Sequence, residues 1–197
     1  MKRISKIIIV MFVVITMVSC GKEKEKVEDK YLSGKINATI EVKDYGLIKL
    51  ELDADSAPIT VTNFVKLANS GFYDGLTFHR IIEGFMIQGG DPEHNGTGGS
   101  DETIKGEFSQ NGIENNISHK RGVISMARSS LPDSASSQFF IVHKDSTFLD
   151  GAYAAFGHVT EGMDIVDDIA ADANPTDDNG TIDLANQPVI TSIKIEN

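Results

Sequence analysis

The sequence is poor in cysteine and in positive charge, and each shortage argues against a class of protein. The 197 residues include a single cysteine, so no disulfide can form within the chain. Only 18 Lys and Arg oppose 29 Asp and Glu, which gives a net charge of −11. Binding to duplex nucleic acid needs clustered Lys and Arg against the phosphates, so we expect no nucleic-acid partner. The acidity favours solubility and carries no information about the fold.

The sequence also lacks the signatures of metal and nucleotide sites. The glycine-rich stretch 96–99 is not followed by the Lys-Ser/Thr of a P-loop, and Asp177–Gly180 lacks the acidic spacing of an EF-hand. Ser, His and Asp are too numerous for any one combination to indicate a catalytic triad. We therefore expect no metal and no cofactor. The histidines are scattered and form no Cys/His cluster: His79, His94, His119, His143 and His158.

No apolar run is long enough to make a comfortable membrane-spanning helix. After a basic start with Lys2, Arg3 and Lys6, the twelve residues from Ile7 to Val18 are apolar except for Thr16. A spanning helix needs about 20 apolar residues. A basic start, a short apolar run and a small residue before the cut are typical of a secretory signal. An uncleaved N-terminal anchor is the alternative.

The lone cysteine lies directly after this run. Met17-Val18-Ser19-Cys20 resembles the bacterial lipobox, in which the cysteine is lipidated and becomes the first residue. Acyl chains such as palmitate contribute about 0.8 kcal/mol per buried CH₂, so several chains on Cys20 would hold the protein on a membrane. We expect residues 1–19 to be a lipoprotein signal peptide and the protein to be anchored in the cell envelope of a bacterium, outside the cytoplasm. Removal of residues 1–19 takes three positive charges away and brings the net charge to −14.

A charged segment separates Cys20 from the globular part of the chain. Gly21 to Lys30 is almost entirely charged and can bury nothing, which predicts a flexible tether within residues 20–35. A solvated helical turn is the alternative for this segment. Residues 36–197 have the composition of one folded domain and contain no internal repeat.

The domain alternates between strand and turn patterns. Ala38–Val42 and Leu47–Leu52 alternate around a turn and predict a hairpin, and Pro58–Asn69 has one apolar helical face. A closed, mostly antiparallel barrel capped by two helices fits this arrangement. A loop is expected over 171–187. Further strands are predicted over 122–127, 138–143, 155–159 and 189–196, the last with Val189, Thr191, Ile193 and Ile195 on one side, and a second helix over 162–170.

Three segments, in this order, resemble the cyclophilin family. They are FHRIIEGFMIQGGD at 78–91, VISMA with SQFFI at 123–141, and FLDG with AFG at 148–157. Taken alone, the first could be a core strand with Arg80 on its solvent face. Together they extend the resemblance over residues 38–196. It implies an eight-stranded antiparallel barrel with two helices and the activity of a peptidyl-prolyl cis-trans isomerase.

The resemblance also implies roles for individual residues. Arg80 matches the family's catalytic arginine. Phe85, Met86, Phe140 and Leu149 match the floor and walls of the family's proline pocket. The residues that bind the substrate backbone or line the adjoining groove are matched by Gln88, Gly96, Ala127 and Gln138.

At three positions the chain departs from many eukaryotic members. Phe148 stands for Trp, Tyr153 for a pocket His and Arg128 for an Asn that binds substrate backbone. Phe lacks the indole N–H donor of Trp, which argues against tight cyclosporin binding. Tyr153 keeps an aromatic wall with a polar tip, so Phe148 and Tyr153 are counted with the substrate-binding residues.

These residue types suit rotation about an X–Pro bond. The barrier of about 18–20 kcal/mol comes from C–N double-bond character, so the reaction needs a grip on proline and a donor near the imide, but no nucleophile. We expect proline-containing polypeptides as substrates, during folding of exported proteins, and a monomeric enzyme. A non-catalytic chaperone or scaffold that binds Pro segments is the alternative. An unrelated surface lipoprotein would explain Cys20 but not the three motifs.

Overall fold

A computed structural model describes residues 31–196, and within them eight strands form one antiparallel sheet. The predicted signal peptide, Cys20 and residues 21–30 of the predicted tether lie outside the described residues. The strands, in chain order, are β1 Lys35–Val42, β2 Gly46–Asp53, β3 Phe78–Ile82, β4 Met86–Gly89, β5 Val123–Met126, β6 Phe139–Val142, β7 Ala155–Glu161 and β8 Ile190–Glu196.

Local patterns explain the first elements. β1 and β2 pair from Lys35 with Asp53 to Val42 with Gly46, because the apolar residues of both strands alternate in register. Asp44 makes the turn with a φ of 66°. Helix α1, Pro58–Asn69, starts with Pro at a position whose N–H no helix bond needs, and it buries Val61, Phe64 and Val65. Both predictions are confirmed. Helix α2, Met163–Asp172, is also found where a helix was expected, with Val166 and Ile169 buried.

The sheet curls into a half-barrel but does not close fully, so the predicted closed barrel is wrong in this respect. The strand order is β3-β4-β6-β5-β7-β2-β1-β8, which leaves β3 and β8 as the two edges. They meet at one end only, at the Thr77–Val189 bridge. Beyond it, the loop after α2 covers β3, because Ile81 N donates to Gly180 O at 2.8 Å and Ile182 N donates to His79 O at 3.0 Å. This loop occupies the edge where β8 would have to continue.

Strand β8 also differs from its predicted alternation. Val42 pairs with Ile190 but Glu41 pairs with Ser192, so Thr191 is a bulge. Because of this extra residue, Ile190 is buried beside Ile193, whereas Thr191 is exposed. The prediction that Thr191 shares a face with Ile193 is therefore wrong.

Two apolar clusters lie on opposite faces of the sheet. Along β6, Phe139 and Ile141 belong to the main core inside the curl, and Phe140 and Val142 belong to a smaller second cluster on the other face. The ring of Phe64 on α1 packs edge-on against Phe139 with centroids 5.6 Å apart, so α1 covers the main core. The described chain enters beside α1, where Leu32 N donates to Thr62 Oγ1 at 2.8 Å. No helix among residues 31–196 is long and apolar enough to cross a membrane.

Candidate active site

The second apolar cluster forms one wall of a cavity of about 150 Å³. Met86, Phe140 and Leu149 are buried at its base, and Phe85 and Tyr153 are half-buried around them. Phe140 and Tyr153 meet edge to face with centroids 5.9 Å apart. The cavity is therefore an apolar cup with aromatic walls, and Arg80, Gln88, Ala127 and Arg128 complete its lining.

The β3–β4 hairpin sets Arg80 beside this cup. Arg80 pairs with Gln88 across the two strands, so both side chains leave the same face of the hairpin. Arg80 Nη1 donates to Gln88 Oε1 at 3.1 Å and lies 3.8 Å from Met86 Sδ. Arg80 Nε donates to Asn179 O at 2.7 Å. The guanidinium is thus held from two sides by neutral acceptors, and Nη2 has no hydrogen-bond partner among residues 31–196.

No carboxylate within residues 31–196 forms an ion pair with Arg80, and Asp177 acts on it only through its charge at longer range. Burial lowers the pKa of Arg80 from its ordinary value, yet a guanidinium keeps its proton in proteins. Its Cζ lies 6.0 Å from the ring centroid of Phe85, at the limit of a cation–π contact. Arg80 therefore brings to the cup a fixed positive charge with a free N–H donor at Nη2.

A line of amides continues from Arg80 along the sheet. Gln88 Nε2 donates to Gln138 Oε1 at 3.0 Å, and Gln138 Nε2 donates to Gly98 O at 2.7 Å and to Gly96 O at 3.1 Å. Only one orientation of each side-chain amide makes all of these hydrogen bonds, so the donors and acceptors that face the groove are fixed. The groove widens here into a neighbouring cavity of about 230 Å³, lined by both glutamines, Ala127 and Arg128 together with Gly96, Thr97, Gly98, Ser129, Ser134 and Ser136.

Asp91 shapes the loop that supplies these glycine carbonyls. Its carboxylate accepts the backbone N–H groups of Glu93 at 2.9 Å, Asn95 at 3.1 Å and Gly96 at 2.5 Å. Burial by itself would raise the pKa of Asp91, but the N–H groups stabilise the charged form and the net result is a lowered pKa. Gly96 adopts a φ of 91°, which favours glycine, at the point where its carbonyl turns toward Gln138.

A buried histidine supports the floor of the cup from below. The rings of His119 and Phe140 stack with centroids 6.0 Å apart. His119 Nδ1 lies 2.9 Å from Asp150 Oδ1, and Nε2 lies 2.9 Å from Ser125 Oγ. Burial lowers the pKa of His119 against the opposing effect of Asp150, so the ring is neutral near pH 7. His119 contacts a pocket wall rather than the cavity, which is a structural role.

The structure brings most of the predicted site residues together. Arg80, Phe85, Met86, Gln88, Ala127, Phe140, Leu149 and Tyr153 line the cup, and Gly96 and Gln138 line the neighbouring cavity. Phe148 is not among the lining residues. It is 74% exposed and lies at the rim, with its ring 5.6 Å from that of Phe85.

One contribution was not predicted, and one residue had been noted only as a departure from other family members. Asn179, from the loop after α2, fixes Arg80 through a backbone carbonyl, and no sequence pattern marks such a contact. Arg128 lines both cavities. The resemblance had already marked this position, as one where many members have an Asn that binds substrate backbone.

Comparison with known proteins places the domain among characterised relatives. Residues 37–197 match the family model described as cyclophilin type peptidyl-prolyl cis-trans isomerase/CLD. The chain is 49% identical over 123 residues to peptidyl-prolyl cis-trans isomerase B of Bacillus subtilis (strain 168), covering 62% of this chain and 82% of that protein. It is 44% identical over 150 residues to a peptidyl-prolyl cis-trans isomerase of Helicobacter pylori (strain ATCC 700392 / 26695), covering 75% of this chain and 85% of that protein.

Solved structures agree with this similarity. A crystal structure of a Cryptosporidium parvum cyclophilin type peptidyl-prolyl cis-trans isomerase, determined in the presence of the dipeptide Ala-Pro, matches with a TM-score of 0.72 at 31% identity. The match covers 82% of this chain and 99% of that one. The half-barrel and its helices are therefore an arrangement already seen by crystallography.

Proposed function

We propose that this chain, which belongs to the cyclophilin-type peptidyl-prolyl cis-trans isomerase family, isomerises X–Pro bonds of exported polypeptides. We propose further that it does so while anchored to a bacterial membrane through Cys20. Isomerase activity is what the family and its named relatives have in common. The site residues, the exported substrates and the anchor are the parts proposed here. One observation carries the site assignment: an unpaired arginine at the edge of an apolar cup, with a line of fixed amides beside it.

The cup is suited to hold the proline ring. Met86, Phe140 and Leu149 are buried, with the exposed part of each facing a cavity that the aromatic rings of Phe85 and Tyr153 close on two sides. Burial of apolar surface stabilises binding by about 25 cal/mol per Å², without demanding a particular rotation of the preceding bond. The cup can thus fix one side of the X–Pro bond while the other side turns.

Arg80 supplies the interaction that distinguishes the twisted state. As the imide rotates, conjugation is lost and the proline nitrogen gains a lone pair that can accept a hydrogen bond. The free Nη2 of Arg80 is a charged donor held in place in advance, which stabilises this state more than either planar isomer. Each factor of ten in rate needs about 1.4 kcal/mol of such preference.

The amide line binds the peptide backbone near the proline. Gln88 and Gln138 are fixed by their contacts with each other and with the carbonyls of Gly96 and Gly98. A backbone that is held along this groove leaves the X–Pro bond as the free rotor. This division of work requires no proton transfer, no covalent intermediate and no charge change on the enzyme.

Arg80→Ala tests the site assignment. We expect the variant to fold and to lose most of its activity, by roughly 100-fold or about 2.7 kcal/mol, in an assay that follows cis-to-trans conversion of a short X–Pro peptide. Arg121→Ala is the matched control, because Arg121 lies at the surface and pairs with Asp167 away from the cup. An Arg80→Ala rate equal to that of the control would contradict the assignment. The same assay addresses the non-catalytic alternative, since a pure binder would show no turnover with the unaltered chain.

Cys20→Ser tests the anchor. Lipidation predicts that the protein from its native host fractionates with membranes, and that mass spectrometry finds an acylated cysteine at the mature N-terminus. The serine variant should lose the acyl mass and leave the membrane fraction while keeping its isomerase rate. A mature N-terminus upstream of Cys20 would overturn the anchoring proposal and leave the isomerase assignment untouched.

A further inference from the structure

Arg128 occupies the ridge between the two cavities of the groove. It lies two residues beyond β5, and its guanidinium carbon lies 5.0 Å from the ring centroid of Phe108 and 4.8 Å from that of Tyr153. Arg128 Nε donates to Ala152 O at 2.9 Å. Rings on two sides and a backbone acceptor fix the plane of this guanidinium, so it is oriented before any peptide arrives.

The charge of Arg128 is uncompensated. Nη1 donates to the carbonyls of Ser129 at 2.9 Å and Ser130 at 3.5 Å, and Nη2 has no hydrogen-bond partner within residues 31–196. Arg121, by contrast, forms a bidentate salt bridge with Asp167, with N–O distances of 2.7 and 2.8 Å. Of the three arginines in the described part of the chain, the two without a carboxylate partner, Arg80 and Arg128, both line the groove.

The rest of the groove contains no negative charge. None of the residues lining the two cavities is Asp or Glu, although the chain as a whole has 29 of them. The cavity beyond Arg128 is lined instead by neutral polar groups, among them the hydroxyls of Thr97, Ser134 and Ser136. The groove is therefore a positive strip within an acidic protein, and such a strip complements a carboxylate.

We propose that Arg128 is a specificity-determining residue that makes the enzyme prefer X–Pro segments with Asp or Glu beside the proline. The inference rests on the proposed isomerase function and adds to it a substrate class. A carboxylate on a neighbouring residue meets the free Nη2 edge of Arg128 when the proline is in the cup. Such a charge-assisted hydrogen bond to a half-buried guanidinium should favour Glu over Gln by about fivefold in kcat/KM, which corresponds to about 1 kcal/mol.

The test compares peptides that differ only by Glu or Gln. Glu replaces Gln in turn at each position from two residues before the proline to one residue after it, and kcat/KM is measured for every peptide with the unaltered protein. We expect at least one position with a preference near fivefold that declines when NaCl is raised from 0.05 to 0.5 M, because salt screens such a pair. Turnover of the all-Gln peptide reports the proposed function itself. If that peptide is turned over and no position prefers Glu, the inference on Arg128 is wrong and the isomerase stands.

Three variants assign the preference to Arg128. Arg128→Gln should bring the Glu-to-Gln ratio to about one, whereas Arg128→Lys, which keeps the charge without the flat guanidinium, should keep a ratio above two. Arg121→Gln removes the same charge from a distant surface site and should leave the ratio unchanged. A ratio that persists in Arg128→Gln, or that falls equally in Arg121→Gln, would overturn the proposal. Because each ratio is taken within one variant, partial loss of folded protein cancels.

Discussion

Gly180 offers a direct test of how the loop after α2 supports Arg80. Gly180 has a φ of 86°, and its carbonyl accepts Ile81 N while the preceding Asn179 carbonyl accepts Arg80 Nε at 2.7 Å. A Cβ at this position would lie 2.6 Å from Ile81 O and 2.5 Å from Ile82 Cγ1. Ile81 O is a backbone atom of β3 and cannot move aside without the strand. Gly180→Ala must therefore push the loop away from β3.

The magnitude follows from three contributions. A left-handed alanine costs about 1–2 kcal/mol, and each of the two displaced hydrogen bonds contributes about 1 kcal/mol. We therefore expect Gly180→Ala to lower the free energy of unfolding by about 3–4 kcal/mol. Once Asn179 no longer fixes Nε, Arg80 loses one of its two restraints, and kcat/KM should fall by about fivefold, or about 1 kcal/mol.

Gly112→Ala is the matched control. Gly112 has a similar φ of 78°, but a Cβ there meets nothing within 4 Å. It should lose only the strain, about 1–2 kcal/mol, and keep its isomerase rate. Urea unfolding and the X–Pro peptide assay on both variants separate strain from displacement. If Gly180→Ala matched Gly112→Ala in stability and rate, the loop would not be what positions Arg80.

The remaining predictions concern pH and the loop held by Asp91. The isomerase rate should be nearly flat from pH 6 to 8, because the cup uses arginine and neutral groups; a steep titration there would implicate a histidine. Stability should fall as pH decreases from 7 to 5, because burial lowers the pKa of His79 and of His119, so the unfolded chain takes up protons that the folded one does not. His79→Gln should reduce that slope in urea unfolding at several pH values, and an unchanged slope would show that His79 is not responsible. Asp91→Asn should lower the free energy of unfolding by about 1–3 kcal/mol and reduce kcat/KM, since the loop of Gly96 and Gly98 loses the carboxylate that holds it. If the hydrogen bonds to Asp91 had no energetic effect, stability and kcat/KM would both be unchanged.

Local signals made part of the fold predictable. The hairpin of β1 and β2 and helix α1 were predictable because alternation, a turn and an N-terminal proline act within a few residues. Closure of the barrel was not, because it depends on whether β8 or the loop carrying Gly180 lies along β3, a choice between segments far apart in sequence. The exposed Thr191 has the same origin, since its bulge is fixed by pairing with β1.

The candidate site was predictable where motif residues lie on regular strands. Arg80, Gln88 and Phe140 occupy paired positions on β3, β4 and β6, so their meeting follows once the strands pair. Asn179 acts through its backbone carbonyl, and the guanidinium of Arg128 is oriented by the carbonyl of Ala152. Both residues lie in loops, where the local sequence carries little information about position. Phe148 was expected with the substrate-binding residues, and it is placed at the rim by the short turn Thr147–Leu149. The roles of all these residues stay predictions until the variants are measured.

The length of the predicted tether limits how far an anchored enzyme would reach from the membrane. The chain enters the domain beside α1, on the side of the main core, whereas the cup lies on the other face with Phe140. The ten residues from Gly21 to Lys30 can span at most about 35 Å when extended. A lipid on Cys20 would therefore keep the domain within about one domain diameter of the bilayer. Chains emerging across the membrane would be met within this thin layer, at a local enzyme concentration far above that of a freely diffusing protein.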